Sequence, residues 1–431
     1  MAGMASRAPR RAQLALWVPA AIAVGLIGGV IAAPALTPRE TTTPPTVTVE
    51  PAESLVERAS APTPPPAPPT RFTLVAAGDV LPHGPVVSSA TTGAGIDFTP
   101  LTDQVRPYIA GADLALCHME VPVAPPGTAP SGYPMFGSPR ELVPDLAEDG
   151  WDGCSTASNH SVDRRKEGIE TTLVEFAAAG MGATGTSRTE TEAASTQMYV
   201  IYGDGEPVNV AHISYTYDSL NGLPKPPGQP WAVDTFNADA SEAEPVIAAA
   251  QRARDAGADV VVASIHCCVE YRTEPGAAQR LLAERIAASG EVDLYVGHHA
   301  HVPQPIELLA GGPNGEGMWV AFGLGNYLSN QDTQCCVAQT NSGVLLTATF
   351  TVDSDKRVTV EPEWTPITVD RLGKHRVYVL TDVPDGVGRL SAAEVAARIE
   401  RVTAAVGSEA PMRTTPAPAL ARSMEIVPRN M

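Results

Sequence analysis

Val292-Asp293-Leu294-Tyr295-Val296-Gly297-His298-His299-Ala300-His301 is an apolar run that closes on a cluster of three histidines. A short run of branched and aromatic residues bounded by glycine reads as a strand buried in an α/β sheet. The same design recurs three times upstream. Phe72–Ala77 leads into Gly78-Asp79, the weaker Gly153–Thr156 into Ser158-Asn159-His160, and Val260–Ser264 into Ile265-His266. Five of the nine histidines stand at these strand ends. In an open α/β sheet the carboxyl ends of neighbouring strands meet at one edge, so residues far apart in sequence converge there. The expected chemistry is a metal centre.

Working outward, strands alternate with helices. Leu114–Cys117 and Val208–Ile213 read as further strands. Arg140–Asp149, Asp163–Ala179, Ser241–Ala256 and Ala277–Ala288 read as helices, the second ending at Gly180. This alternation implies a largely parallel sheet flanked by helices. After about Met318 strand follows strand: Met318–Phe322, Gly343–Val352, Val358–Trp364 and Arg376–Leu380. The site is therefore expected between two sheets or at their edge.

The chain opens differently. Residues 1–13 form a basic tail with Arg7, Arg10 and Arg11, and residues 14–36 are apolar without a charge, long enough to span a bilayer or serve as an export signal. Residues 37–70 carry ten prolines and read as an extended spacer. The expected organisation is a membrane anchor or cleaved signal, a linker, a catalytic-type domain over 71–385, and a helix with a poorly ordered tail over 386–431. The protein is then expected at the bacterial cell membrane, single-pass with an extracytoplasmic domain, or secreted if the signal is cut. A net charge of -19 disfavours nucleic acid as a partner.

Asp, Glu, Asn and His suit one or two divalent ions such as Mn, Fe or Zn. Asp79 and Glu120 are candidate carboxylates at strand ends. Asn159-His160 offers one ligand and one general acid or transition-state contact. Asp163 either orients His160 or simply favours the dipole of the helix it begins. His266 ends one strand, and His299 with His301 ends another. At i and i+2 these last two are expected on one side, with His298 on the opposite face as a packing or supporting residue. His83, His118, His212 and His375 read as structural, although His83 lies four residues after Asp79. Glu270-Tyr271 and Asn326 are candidates for substrate contact or support of the ligands. Asn221-Gly222-Leu223-Pro224 reads as a tight turn, or as lining of the cleft entrance.

All six cysteines follow the spacer, and an even number outside the cell favours disulfides. Cys267-Cys268 with Cys335-Cys336 is the expected pairing, which would fold the 326–339 loop over the site. Bridges within each adjacent pair are the rival.

The ordered series Ala77-Gly78-Asp79-Val80, Glu120, Ser158-Asn159-His160-Ser161-Val162-Asp163, Ile265-His266, Gly297-His298-His299-Ala300-His301-Val302 and Gly323-Leu324-Gly325-Asn326-Tyr327 resembles the CapA family of poly-γ-glutamate capsule proteins. Through it the chain is similar to calcineurin-like metallophosphoesterases. The resemblance implies a four-layer α/β/β/α sandwich with two metal ions between the sheets. It implies Asp79, Glu120, Asn159, His266, His299 and His301 as ligands, and His160 as the catalytic or substrate-contacting histidine. It departs from the superfamily in having Leu81 where an Asp-x-His opening would place histidine, and Glu120 where aspartate is usual. The function implied is an exported metal-dependent phosphoesterase-like hydrolase acting in capsule or cell-envelope polymer synthesis, alongside capsule synthetase membrane subunits. The alternatives are a non-catalytic factor for polymer assembly or retention that uses the same fold, and a wall-linked structural module.

Overall fold

Alternation within the strands builds the architecture. In Thr70–Val80, Phe72, Leu74 and Ala76 face one way and Val75 and Ala77 the other, and both faces are buried. Strands apolar on both faces need a layer on each side. In the computed structural model, which describes residues 67–430, those layers are a second sheet and a bank of helices.

The first sheet centres on Thr70–Val80. It pairs in parallel with Leu114–Met119 and Asn326–Leu328, and antiparallel with Ser342–Val352. Gly153–Ser155 and Gly182–Thr184 continue one side, Val358–Asp370 and Arg376–Val379 the other. The second sheet centres on Val260–His266, flanked in parallel by Val208–Tyr217 and Leu294–His298. Met318–Ala321, Ile306–Leu309, Gln197–Tyr202 and Ser423–Val427 extend it.

Three apolar clusters fill the spaces. Leu74, Leu116, Val210, Val262 and Val296 meet between the sheets. Val75 and Ala115 pack against Leu146 and Leu173 of the helices Leu142–Asp149 and Arg165–Ala178. Ala211, Val261 and Tyr295 pack against Val246 and Leu282 of the helices Glu244–Asp255 and Ala277–Ser289. The order is helix, sheet, sheet, helix, the four-layer α/β/β/α sandwich that the family resemblance implies.

The segments 1–13 and 14–36, and the 37–70 spacer up to residue 66, lie outside the described residues. Among the described residues no helix is long and apolar enough to cross a membrane.

Two expectations are corrected. The end of the chain is not a loose tail. After the helix Ala392–Val406 it forms the strand Ser423–Val427, paired antiparallel with Gln197–Tyr202. Met424 and Ile426, alternating along it, pack on the inter-sheet core, and the Arg429 guanidinium donates to the Thr186 carbonyl at 2.9 Å.

The cysteines do not link Cys267-Cys268 to Cys335-Cys336. Each adjacent pair is bridged within itself, and Cys117 is bridged to Cys154. The third bridge follows from register, since Cys117 and Cys154 are direct partners on neighbouring parallel strands and face the same helical layer. The 326–339 loop still reaches the site without a cross-link: the Asn330 amide lies 3.4 Å from His83 Nδ1, and Asn326 Nδ2 donates to Gln331 Oε1 at 3.0 Å.

Candidate metal centre

Strand register assembles this site. In the first sheet Asp79 is level with His118, and His118 with Ser155. In the second, Thr216, His266 and His298 share one level. Residues at the same level of adjacent strands project from the same face. His118 continues the inward face of Leu114 and Leu116, His266 that of Val260 and Val262, and His298 that of Leu294 and Val296. The histidines of the two sheets thus face one another, and the rings of His118 and His298 stack at 4.0 Å.

Glycine permits the close approach. A Cβ on Gly78 would lie 1.9 Å from the Gly325 carbonyl oxygen, and one on Gly297 would lie 1.9 Å from that of Phe322. With Gly78 in place, the Asp79 amide donates to the Gly325 carbonyl at 2.9 Å, which fixes the carboxylate at the strand end.

Two buried donor groups result, Asp79 with His118 and His298, and Glu120 with His299 and His301; within each, the ligand atoms lie within 4.8 Å of one another. Each group takes its carboxyl group from the first sheet or the residue that follows its strand, and at least one histidine from the end of Leu294–His298 or just beyond it in the second. His301 joins them, its Nδ1 2.9 Å from Asp79 Oδ2 and its Nε2 3.7 Å from Glu120 Oε1.

His298, expected on the opposite face, turns inward, and that expectation is corrected. His118, expected as structural, has both ring nitrogens bonded, Nδ1 to Ser155 Oγ at 2.7 Å and Nε2 to His266 Nδ1 at 2.9 Å, and also lies in the first donor group. Leu294–His298 ends at His298, and His299 and His301 both take positive φ, 82° and 57°. The strand alternation invoked for 299 and 301 therefore does not apply there. Counting forward from Leu114 and Leu116, and from Leu294 and Val296, would have placed both histidines inward.

His266 and Asn159, expected as ligands, stand beside the second group. His266 Nδ1 is 2.9 Å from His118 Nε2, and its Nε2 is 2.8 Å from Asn159 Oδ1 and 3.9 Å from Glu120 Oε1. Asn326, level with Asp79, places Oδ1 3.1 Å from His301 Nδ1 and donates through Nδ2 to the Thr340 carbonyl at 2.8 Å. Tyr271 lies over His301 at 6.0 Å, and the charge of Glu270 reaches Glu120 and His301. His83 joins neither group. Its Nδ1 is 2.9 Å from the Leu81 carbonyl, and its ring meets Phe136 edge-on at 5.2 Å.

His160 Nδ1 is 2.7 Å from Asp163 Oδ2, and the same oxygen accepts from the Phe136 amide at 2.7 Å. Of the two roles considered for Asp163, orientation of His160 is the one the structure shows. Asn221, in the loop read as a turn, accepts from Asn159 Nδ2 at 3.1 Å and brings its own Nδ2 to 3.5 Å from His160 Nδ1. Sequence reasoning also missed Tyr217, whose ring lies 5.0 Å from that of His299.

Burial pushes His118 and His266 well below the usual imidazole range, and His298 and His299 down to about 3, helped by neighbouring imidazoles. These rings are neutral near pH 7 and carry a nitrogen lone pair. His301 goes the other way. Burial would lower it, but Glu120 and Asp79 hold it up at about 10. Burial also drives Glu120 well above the usual carboxylate range, whereas His301 holds Asp79 below its ordinary value against the effect of burial.

Neither Glu120 carboxylate oxygen, neither ring nitrogen of His298, nor Nδ1 of His299 has a hydrogen-bond partner among the described residues. Buried polar atoms of this kind are normally satisfied. Two buried carboxyl groups among imidazoles, several with unpartnered ring nitrogens, suit a divalent cation, which on binding would replace the proton that Asp79 and Glu120 hold on His301. The donor set is oxygen and nitrogen, and all six cysteines are in disulfides.

A family model described as "Bacterial capsule synthesis protein PGA_cap" matches residues 73–331. Over 260 residues the chain is 27% identical to the PGA biosynthesis protein CapA of Bacillus subtilis (strain 168), covering 59% of this chain and 62% of that protein, under two thirds of the relative's length. Among solved structures it is similar to a phosphatase from Mycoplasma pneumoniae, at 13% identity and a TM-score of 0.35 over 69% of this chain and 94% of that one. It is also similar to the calcineurin-like phosphoesterase YfkN from Bacillus subtilis, at 11% identity and a TM-score of 0.36 over 78% and 97% of the two chains. Both scores are too low to add to the fold described above.

Proposed function

This chain belongs to the PGA_cap family of bacterial capsule synthesis proteins, and from that membership we propose that it is a metal-dependent phosphoester hydrolase of the cell envelope. The observation that carries the reading is the pair of facing donor groups, Asp79–His118–His298 and Glu120–His299–His301, beside the His160–Asp163 pair.

The six residues of the two groups would hold one or two divalent ions, Mn, Fe or Zn, with His266 and Asn159 at hand. Bound there, such ions supply positive charge that polarises a phosphoryl group and makes water a stronger nucleophile at neutral pH. His160 gives a proton to the leaving oxygen. Asp163 holds His160 Nδ1, so that Nε2 is the atom presented to substrate, and stabilises the protonated ring. Asn221 steadies the neighbouring Asn159 amide. The two sheets close around the groups and keep bulk water from the charges, which strengthens every electrostatic contact inside.

The envelope setting is part of the proposal. The basic, apolar and proline-rich segments before residue 71 support export with anchoring through 14–36. The family description supports a capsule or envelope polymer as the context, with capsule synthetase membrane subunits as partners.

Leu81 favours a second reading. It is buried against Val121 and Phe136, where an imidazole would be expected in a phosphoesterase. In that reading the chain binds metal and polymer for assembly or retention without turnover. Assay of the purified protein with Mn, Fe or Zn on model phosphomonoesters and phosphodiesters decides between them. Metal-dependent hydrolysis lost in His160→Ala supports the enzyme; metal binding without hydrolysis supports the second reading.

A further inference from the structure

Most large apolar side chains are buried, yet Tyr133, Met135 and Val269 are 79%, 37% and 44% exposed. Their loops reach the site. Phe136 packs edge-on against His160 at 4.8 Å and His83 at 5.2 Å, and Tyr133 leans on Phe136 at 6.5 Å. Val269 is two residues before Tyr271, which covers His301 at 6.0 Å.

The Tyr133 loop is fastened rather than free. Asp163, which orients His160, also accepts from the Phe136 amide. The next residue, Arg164, donates Nε to the Phe136 carbonyl at 3.0 Å and Nη2 to the Ala129 carbonyl at 3.1 Å and to Ser131 Oγ. Two adjacent charged residues therefore fasten the backbone on either side of Tyr133, whose ring stands beside Phe136, the ring that touches His160.

That placement constrains the substrate. If His160 protonates the leaving oxygen, the body of the leaving group must extend past His160, onto the edge formed by Phe136 and Tyr133. The surface there is aromatic, and the donors of the Arg164 guanidinium at its base are taken by the Phe136 and Ala129 carbonyls and by Ser131 Oγ. Glu270 on the other loop repels an anion. Such a surface gains by covering an apolar ring face.

We propose that Tyr133, supported by Phe136, forms a leaving-group subsite that receives an uncharged ring, a sugar or an aryl group, joined through oxygen to the phosphoryl group. This rests on the hydrolase reading above.

The test is calorimetric binding to the full chain loaded with Mn, and needs no turnover. The probes are methylphosphonate, phenylphosphonate and a C-glycosyl phosphonate made from glucose. At least one ring probe should bind about tenfold more tightly than methylphosphonate, and which one does identifies the source of the ring. Tyr133→Ala should remove that preference and leave methylphosphonate affinity within about twofold, while Tyr133→Phe keeps it. Tyr133 is largely exposed, so the alanine variant is expected to fold, which thermal denaturation verifies. Equal affinity for all three probes, or a preference untouched in Tyr133→Ala, overturns the subsite alone. Binding of none of them overturns the hydrolase reading and the subsite with it.

Discussion

His301 Nδ1 stands 2.9 Å from Asp79 Oδ2, across the interface between the two sheets. His301 thereby lies between two buried carboxyl groups, Asp79 and Glu120, its Nε2 3.7 Å from Glu120 Oε1. Both sheets contribute to the donor groups, so both must be in place to form them.

His118 should be as important for metal retention as any residue legible from the motifs. His118→Ala is expected to weaken metal binding by about 10- to 100-fold, read by competition with a chelating dye. His212→Ala is the control. His212 is equally buried but bonds only Ser264 Oγ, at 2.8 Å, so its loss should lower stability while metal affinity stays near wild type. Equal metal loss in the two variants would contradict the assignment of His118.

Asp163 acts through His160. Asp163→Asn should lower kcat by about 100-fold or more on a model phosphoester, because the proton donor loses its orientation and the support of a carboxylate. Metal content should not change. A rise in KM at constant kcat would instead show that Asp163 only shapes the Phe136 loop.

Gly78 is required by the Gly325 carbonyl. Gly78→Ala would force a methyl group to 1.9 Å from that oxygen, so one of two fixed backbones must move. The expected loss is about 1–3 kcal/mol or more in denaturant unfolding, together with weaker metal binding as Asp79 shifts. Wild-type stability in this variant would show that the close approach is relieved at no cost.

Asp149 gives a pH signature away from the metal. Burial pushes its carboxyl up to about 6 from 3.8, despite Arg106 Nε at 3.2 Å. The folded state therefore favours the neutral acid. Its contribution is fully present below pH 3.8 and is lost as pH rises through about 6. Asp149→Asn removes that loss, so the Tm difference in favour of the asparagine variant should widen from pH 5 to pH 8. A constant difference over that range would contradict the shift.

Much of this was readable in the chain, and the exceptions share a physical cause. Asp79, Glu120, His299 and His301, which the structure brings together, were legible as candidates because strand-end position is a local signal. The inward direction of His298 was misread because it depends on which face of the strand turns inward, and the positive φ at His299 breaks the alternation counted backward from it. The pairing of Cys117 with Cys154 depends on the register of two strands separated by a helix and a loop. The strand Ser423–Val427 was hidden because a lone edge strand of alternating exposure carries little apolar signal until its partner, Gln197–Tyr202, is known.

The central claim is that the two sheets together create a cation site. Elemental analysis of the purified protein after exhaustive dialysis, compared with an Asp79→Ala, Glu120→Ala double variant that remains folded by circular dichroism, tests it most directly. The account expects one or two equivalents of Mn, Fe or Zn per chain in the wild type and none in the variant. A wild-type protein that neither retains these metals nor takes them up on addition would contradict it.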